Sequence, residues 1–266
     1  MSTMSLALRD SATMLRRDLR HSLRFPMMTV SGMLVPVIFL LLFAGVFGRA
    51  LSAGLGVGSA SYIDYLAPGI LVMTAGFSAE ATAVNVNMDF RLGIIDRFRT
   101  MAIARTSVLT GQVAGSLIRT MVTAVFVVAV AAGLGFRSGA DAAAWIAAAG
   151  LFAALTFALT WLTVAFGLFA KTPGGANSLS LIPAILPFVS SAFVPTGAMP
   201  AGVRWFAENQ PFTPIIDTMR GLLTGGAVGH DAIVAVAWCA GIALAGYLWA
   251  RALYNRGPAG APTLAS

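Results

Sequence analysis

The sequence predicts an all-α, polytopic membrane protein with six transmembrane helices, and three observations support this fold class. Of the 266 residues, 58% are hydrophobic and only 10% are charged, whereas a soluble domain has roughly 25% charged residues. The mean hydropathy is +0.84. Uncharged runs that reach the roughly 20 residues needed to cross a bilayer recur along the chain. Too few polar groups remain to cover a water-exposed surface, so we expect lipid to surround most of the chain.

Six runs define the expected spans. In chain order they are residues 25–48, 65–88, 120–136, 142–170, 172–203 and 232–250. The third run is preceded by Arg119 and, before it, by the uncharged residues 106–118. Glu80 is the only charge in the second run, and the fifth run is rich in proline. The first run is longer than the apolar core of a cleaved signal peptide, about 7–15 residues, so we expect it to be kept as a span.

The basic residues predict the orientation, because cytoplasmic loops of membrane proteins carry an excess of Arg and Lys. The net charge of +7 is therefore interpreted as a topology signal rather than as a nucleic-acid surface. Twelve basic residues fall on the inner side if the N-terminus is cytoplasmic: Arg9, Arg16, Arg17, Arg20, Arg24, Arg91, Arg97, Arg99, Arg105, Lys171, Arg251 and Arg256. Four fall outside: Arg49, Arg137, Arg204 and Arg220. This predicts a multi-pass protein of the bacterial plasma (inner) membrane with both termini cytoplasmic.

Residues 1–266 are expected to form a single membrane domain with an interfacial helix before the first span. Within residues 8–24, apolar side chains recur at helical spacing, while arginines occupy the rest of the helix surface. This pattern is typical of an amphipathic helix lying on the membrane surface. This helix either only anchors the N-terminus on the cytoplasmic side through its arginines, or in addition contacts a partner protein. Residues 257–266 are rich in Pro, Gly and Ala, which predicts a disordered tail.

A second amphipathic segment, residues 89–105, follows the second span on the predicted cytoplasmic side. Its apolar residues recur at helical spacing: Phe90, Ile94, Phe98 and Met101. Its polar surface consists of Asp89, Arg91, Asp96, Arg97, Arg99 and Arg105. Such a helix is either an ordinary interfacial loop helix or a coupling helix that receives force from a cytoplasmic partner.

Residues 195–226, before the last span, are too polar and proline-rich to cross the membrane as one helix. They still carry many large apolar side chains, Trp205 among them. Backbone groups at membrane depth must be satisfied by protein rather than lipid. We therefore expect a re-entrant outer segment made of one or two short helices, with Pro195 and Pro200 marking the break after the fifth span.

Glu80 and Arg119 are charges inside otherwise apolar spans, and Asn85 and Asn87 lie nearby in sequence. An unpaired charge at the bilayer centre costs roughly 2.5–3.5 kcal/mol on insertion scales. Three interpretations follow: a structural Glu80–Arg119 pair, substrate or proton chemistry at Glu80, or snorkelling of Arg119 or a shifted span boundary. The asparagines are expected to cap helices, pair, or line a cavity.

The motifs of catalysis and nucleotide binding are missing from the sequence. It has no G-x-x-x-x-G-K-[ST] phosphate loop, and its single lysine, Lys171, is in FGLFAKTPGG. Cys239 is the only cysteine, and His21 and His230 are far apart, so no catalytic or metal site is expected. A solute pump without its own motor needs either an ion gradient or a separate ATPase.

Three segments resemble the ABC-2 type membrane permeases, closest to their daunorubicin-resistance (DrrB-like) drug-efflux branch. They are RRDLRHSLRFPMMTVSGMLVPVIFLLLFAGVFG, FRLGIIDRFRTMAIARTSVLTGQ and FVPTGAMPAGVRWFAENQPFTPIIDTMRGLL. The third likeness is the most specific and includes Met199-Pro200, Asn209-Gln210-Pro211 and Arg220. The second departs from the family pattern, because Ala102 stands where a proline is common.

The resemblance implies a permease subunit of an ATP-driven exporter of hydrophobic or amphiphilic compounds, such as a drug, antibiotic or lipid. The implied partners are an ABC ATPase subunit carrying ATP-Mg and a second permease subunit in a homo- or heterodimer. No cofactor is expected in this chain, and lipid but no nucleic acid is expected around it. The implied coupling residues are Phe90, Ile94, Asp96, Arg97, Phe98, Arg99 and Met101. The implied outer gate consists of Pro195, Met199, Pro200, Trp205, Pro211 and Arg220.

Other functions remain open at the level of the sequence. An ABC-2 exporter of polysaccharide or lipid-linked glycan would share the topology and differ only in cargo. A proton-coupled secondary carrier would use Glu80 and would need no ATPase. A membrane enzyme has no supporting motif.

Overall fold

The computed structural model describes residues 26–46, 48, 59–92 and 107–256, and regular structure in these residues is helical. The interfacial helix at 8–24, the tail at 257–266 and most of the segment 89–105 lie outside the described residues. Helix α1 covers Pro26–Leu41 and continues as a π-helical turn, Leu42–Val46. Helices α2, α3 and α4 cover Ser59–Arg91, Ser107–Gly133 and Ala142–Phe169.

The second half of the described chain contains four more helices. Helix α5 covers Pro173–Ile185 and continues as a 3-10 turn, Leu186–Val189. A short 3-10 turn, Thr196–Ala198, precedes α6, Ala201–Asn209. Helices α7 and α8 cover Phe212–Thr224 and Asp231–Arg256.

Four of the described helices are long and apolar enough to cross a membrane, so the chain is a helical membrane protein. These segments are Tyr62–Arg91, Leu109–Gly133, Ala142–Phe169 and Asp231–Asn255, and a shorter apolar helix covers Leu34–Val46. Among the four, α2 is the most buried and α8 the least. Helix α2 lies at the centre of the bundle, where it packs against α1, α3, α4, α5 and α7.

The fifth uncharged run does not form one continuous helix. Helix α5 ends at Ile185, and the chain passes through the 3-10 turn around Pro187 before reaching Ser190. Proline has no N–H to continue the helical hydrogen bonds, so the break falls here rather than at Pro195. Thirteen residues in α5 give a helix of only about 20 Å.

Local sequence signals explain where the other helices begin and end. The Asp141 side chain accepts a hydrogen bond from Ala144 N at 2.8 Å and so caps the start of α4. Thr172 caps α5 in the same way through Gly175 N at 3.0 Å. Helix α7 ends at Gly225, whose φ of +77° is the left-handed conformation that glycine tolerates.

Two hydrophobic clusters form the core of the bundle. The larger one joins α2 to the buried side of α7, including Ile215, Ile216 and Met219. The smaller one lies where α2 and α4 end and α3 begins, and it includes Val86, Leu109 and Trp161. Helices α2 and α4 approach closely at this end, because a Cβ on Gly167 would lie 2.5 Å from the Ala83 carbonyl oxygen. Only glycine allows this helix crossing.

Candidate functional site

Four residues form a polar group that joins residues 195–226 to the rest of the bundle, which we call the arginine cluster: Tyr65, Ser191, Asp217 and Arg220. Arg220 and Asp217 lie on α7, Tyr65 on α2, and Ser191 follows the 3-10 turn after α5. Oppositely charged residues three apart on a helix face the same side, so α7 presents Asp217 and Arg220 together.

The guanidinium group of Arg220 uses all three of its nitrogens. Nη2 donates to the Ser191 carbonyl oxygen at 2.7 Å, Nε donates to the Tyr65 carbonyl oxygen at 3.3 Å, and Nη1 bonds to Asp217 Oδ1. Its Cζ lies 3.7 Å from the centroid of the Tyr65 ring, which adds a cation–π contact. The planar, multiply bonded geometry requires arginine rather than lysine.

The remaining members complete the cluster. The Tyr65 hydroxyl donates to the Ser191 carbonyl oxygen at 2.7 Å, and the Ser191 hydroxyl donates to Asp217 Oδ1 at 2.7 Å. The Asp217 and Arg220 side chains keep 34% and 18% of their accessible surface. The cluster therefore joins α7 to α2 and to the turn after α5 through largely desolvated, charge-assisted hydrogen bonds.

Further contacts fasten α7 to its surroundings. Gln210, just before α7, donates through Nε2 to the Val189 carbonyl oxygen, and the Thr213 hydroxyl donates to the Ala207 carbonyl oxygen. At the other end of α7, the Ser138 hydroxyl donates to the Leu223 carbonyl oxygen at 2.7 Å. Helix α7 is thus held at its start, middle and end.

A cavity of about 480 Å³ lies beside the arginine cluster, between residues 196–217 and the start of α8. Asp217 lines it as well as pairing with Arg220, and Glu208, Asp231 and Trp238 form other parts of its wall. The arrangement offers carboxylates and an indole face, which suit polar or cationic groups better than anions. The volume falls in the range of small-molecule sites, roughly 300–1,000 Å³.

The structure places the other predicted gate residues outside this cluster. Pro195 and Pro200 precede the 3-10 turn and α6, and Pro211 precedes α7. Met199 is half-buried, and Trp205 on α6 is 68% exposed. Of the six predicted gate residues, Arg220 alone belongs to the arginine cluster. Sequence analysis missed Tyr65, Ser191 and Asp217; only the Asp217–Arg220 spacing carried a signal.

The predicted intramembrane polar residues separate into different roles. Asn87 is fully buried and donates through Nδ2 to the carbonyl oxygens of Gly167 at 2.8 Å and Ala170 at 2.7 Å. It therefore satisfies the last carbonyl groups of α4, which a helix end leaves without partners. Asn85 is exposed. Glu80 is half-buried and forms no ion pair with a described residue, Arg119 included.

Replacing Asn87 with Ala is expected to lower the free energy of unfolding by about 1–3 kcal/mol, because buried carbonyl groups at the end of α4 lose their donor. The matched variant Asn85→Ala removes the same side chain two residues away at an exposed position, and we expect a change within about 0.5 kcal/mol. Thermal unfolding of the two purified variants in detergent measures the difference. Equal shifts would contradict the capping role.

At the predicted coupling end, the structure describes only the first residues. Phe90 is half-buried against the smaller hydrophobic cluster, and the Asp89 carboxylate accepts a hydrogen bond from Gln112 Nε2 at 2.6 Å. These contacts fix the end of α2 against α3. The remaining predicted coupling residues lie outside the described residues: Ile94, Asp96, Arg97, Phe98, Arg99 and Met101.

Comparison with known proteins covers most of the chain. The model of the ABC-2 type transporter family matches residues 10–224. The daunorubicin resistance ABC transporter permease protein DrrB1 of Streptomyces coeruleorubidus is 27% identical over 239 residues, which are 89% of this chain and 82% of that protein. The probable doxorubicin resistance ABC transporter permease protein DrrC of Mycobacterium tuberculosis (strain ATCC 25618 / H37Rv) is 26% identical over 219 residues. These residues are 80% of this chain and 77% of that protein. The putative transport permease ycf38 of Porphyra purpurea is 26% identical over 74% of this chain and 68% of its own length.

Proposed function

The chain belongs to the ABC-2 type transporter family, and we propose that it is the transmembrane permease subunit of an ATP-driven exporter of hydrophobic or amphiphilic compounds. The observation that carries the proposal is its similarity to drug-resistance ABC permeases along nearly the whole chain. The absence of a phosphate-loop motif from the sequence agrees with a permease whose ATP-Mg is bound by a separate ABC ATPase.

In the proposed topology, α1 and α5 add two spans to the four long apolar helices. Helix α1 with its π-helical turn has 16 and 5 residues, which supports a length of about 31 Å, close to the thickness of the hydrocarbon core. Helix α5 is shorter and is completed by the 3-10 turn that follows it. Both termini then lie in the cytoplasm of a bacterium whose plasma (inner) membrane holds the protein, as the arginine distribution favours.

The working unit in this proposal contains two permease subunits, identical or different, and two ATPase subunits. The segment 89–105 acts as the coupling helix, with Phe90, Ile94, Asp96, Arg97, Phe98, Arg99 and Met101 meeting the ATPase. The fixed end of α2 supports this role, because Asp89 and Phe90 are held against α3 and the smaller cluster. Force that reaches Asp89 and Phe90 would therefore be passed on to α2 and α3.

The outer segment 195–226 acts as the gate, and the arginine cluster holds α7 against α2 in the state that the structure represents. The cavity beside Asp217 supports this proposal, since a displacement of α7 would change both the cavity and the cluster. Ion pairs that break and reform between two packed arrangements are a common element of such transitions.

The test is co-reconstitution in proteoliposomes with an ABC ATPase encoded beside the permease gene, with daunorubicin as the transported probe. We expect the permease alone to hydrolyse no ATP and to concentrate no daunorubicin, whereas the complete complex does both. ATP-independent accumulation driven by a proton gradient, lost in Glu80→Gln, would favour the carrier function instead. Export of a glycan but of no apolar compound would favour the glycan exporter.

A variant of the same complex tests the coupling helix. Arg97→Glu combined with Arg99→Glu is expected to lower permease-stimulated hydrolysis and transport by about tenfold or more, because reversed charges at a contact cost several kcal/mol. Arg137→Glu, at an exposed position on the predicted outer side, is the control and should leave both rates unchanged. Unchanged ATPase association and stimulation in the double variant would show that the coupling assignment is wrong.

A further inference from the structure

The last turn of α7 contacts the loop between α3 and α4, residues 134–141, through main-chain atoms. The Ser138 hydroxyl donates to the Leu223 carbonyl oxygen at 2.7 Å. A Cβ on Gly139 would lie 2.9 Å from the Thr224 carbonyl oxygen, so only glycine allows the two backbones to approach this closely. The end of α7 therefore lies directly on the α3–α4 loop, with no room for a side chain between them.

The α3–α4 loop is itself fixed to the bundle by contacts that do not involve α7. The Asp64 carboxylate, near the start of α2, accepts a hydrogen bond from the Arg137 backbone nitrogen at 2.9 Å. Phe136 keeps only 8% of its surface accessible and packs in the larger hydrophobic cluster. Gly135 turns the chain at the end of α3 with a φ of +109°, which residues with a side chain rarely adopt. The loop is therefore a rigid support for the end of α7.

The first half of α7 borders free space instead. The cavity of about 480 Å³ is lined on α7 by Thr213, Pro214 and Asp217, and by no described residue of α7 beyond them. Val234 and Trp238 of α8 form part of its wall. A helix in a close-packed interior moves only where there is room for it. Space beside the first half and backbone contact at the last turn therefore favour rotation of α7 about its end over translation of the whole helix.

Such a rotation would break the polar contacts of α7 before its last turn and preserve those of the last turn itself. Thr213 lies about 16 Å from Thr224 along the helix, whereas Arg220 lies about 6 Å from it. Turning α7 by about 20° would therefore displace Thr213 by about 6 Å and Arg220 by about 2 Å. The second displacement separates Arg220 Nη2 from the Ser191 carbonyl oxygen, now 2.7 Å away, beyond hydrogen-bonding distance. Leu223 would move by less than about 1 Å and would keep its hydrogen bond to the loop.

We propose that α7 rotates about its C-terminal end, with the α3–α4 loop as the pivot, so that its first half moves into the cavity beside Asp217 when the gate opens. This inference rests on the proposed function and adds to it how the gate moves and which residues stay in place. In the proposed topology the pivot lies on the outer side. Force reaches it along α2 and α3, whose cytoplasmic ends are joined by the hydrogen bond between Gln112 and Asp89.

The experiment measures cysteine labelling at the two ends of α7 in the permease–ATPase complex in nanodiscs, with the single native thiol removed by Cys239→Ala. Thr213→Cys reports on the first half and Leu223→Cys on the last turn, where only 7% and 1% of the native residues are accessible. A charged maleimide is applied without nucleotide and with ATP bound to a hydrolysis-deficient ATPase. We expect ATP to change the labelling rate about tenfold or more at Thr213→Cys and less than about twofold at Leu223→Cys. Leu222→Cys serves if Leu223→Cys does not fold.

A matched pair of glycine variants tests the loop as the pivot. Gly139→Ala places a methyl group 2.9 Å from the Thr224 carbonyl oxygen and separates the loop from α7. In this background we expect ATP to change labelling at Leu223→Cys about fivefold or more, and transport to fall while ATP hydrolysis is unchanged. A merely structural contact would lower stability without making the end of α7 respond to ATP. Gly229→Ala adds the same methyl group in open space beyond α7 and should alter neither labelling nor transport.

Several outcomes would overturn the pivot. Equal changes at both labelled positions would mean that α7 moves as a whole, and a change confined to Leu223→Cys would place the pivot at the other end. Labelling that Gly139→Ala leaves unaltered would remove the role of the loop. No response to ATP at either position, in a complex that still exports daunorubicin, would overturn the pivot and leave the proposed function intact. A complex with the expected labelling that exports no apolar compound would contradict the proposed function and leave the pivot supported.

Discussion

Replacing Arg220 with Leu is expected to lower the free energy of unfolding by about 2–3 kcal/mol and the transport rate at least tenfold. The substitution removes three donors at once, and among the described hydrogen bonds it leaves the Asp217 carboxylate with one donor, the Ser191 hydroxyl. Breaking a fully buried ion pair by removing one partner costs about 3–5 kcal/mol, and the Asp217 and Arg220 side chains keep 34% and 18% of their surface, so we expect a smaller loss here. Helix α7 then loses its fixed position on α2.

The chain offers a matched control for this experiment. Arg204 and Glu208 on α6 form an ion pair of the same chemistry, with Nε and Oε1 2.8 Å apart, but their side chains are 51% and 42% exposed. Arg204→Leu should therefore cost no more than about 1 kcal/mol. Thermal unfolding in detergent and ATP-driven transport measure both variants. Arg220→Lys keeps the charge without the planar fork, and an intermediate loss is expected.

If Arg220→Leu shifts the unfolding midpoint no more than Arg204→Leu does, the arginine cluster does not hold α7 in place. If stability falls but the remaining folded protein transports at the normal rate, the cluster is structural and the proposed gate lies elsewhere.

Gly167→Ala is expected to destabilise the bundle by about 2–4 kcal/mol, although alanine favours helices. The new methyl group would lie 2.5 Å from the Ala83 carbonyl oxygen and 3.2 Å from Val86 Cβ, so α2 and α4 must separate. Separation also stretches the hydrogen bond from Asn87 Nδ2 to the Gly167 carbonyl oxygen, now 2.8 Å. Steric strain and a weakened helix cap therefore act together.

The same helix provides a control with the opposite sign. Gly150 has open space where a Cβ would be placed, so Gly150→Ala gains helix propensity and should stabilise by up to about 1 kcal/mol. Denaturant unfolding in mixed micelles compares the two variants. A stabilising Gly167→Ala would mean that α2 and α4 are not in close contact at this crossing.

Much of the fold could be predicted from the sequence because lipid imposes a local rule on composition. The run at 142–170 corresponds to α4 at Ala142–Phe169, since Asp141 starts the helix and Lys171 bounds the run. The run at 65–88 corresponds to most of α2 at Ser59–Arg91. Residues 172–203 were harder, because hydrophobicity reports burial in lipid but does not say which of several prolines ends a helix.

The candidate site was less accessible from the sequence. The family resemblance pointed to Arg220, but Tyr65 precedes it by 155 positions and carries no pattern that links the two. The sequence does not distinguish Asn87 from Asn85, although Asn87 lies buried against the end of α4 and Asn85 is exposed.

By itself, the sequence determined that this chain is a helical membrane protein of the ABC-2 type, because hydrophobic length, charge distribution and family motifs are all properties of contiguous residues. The tertiary structure alone decided which polar groups meet, where glycine lets helices touch, and where cavities remain. These depend on the packing of helices that are far apart in sequence, and packing energies are set by shape at contacts that no local pattern encodes.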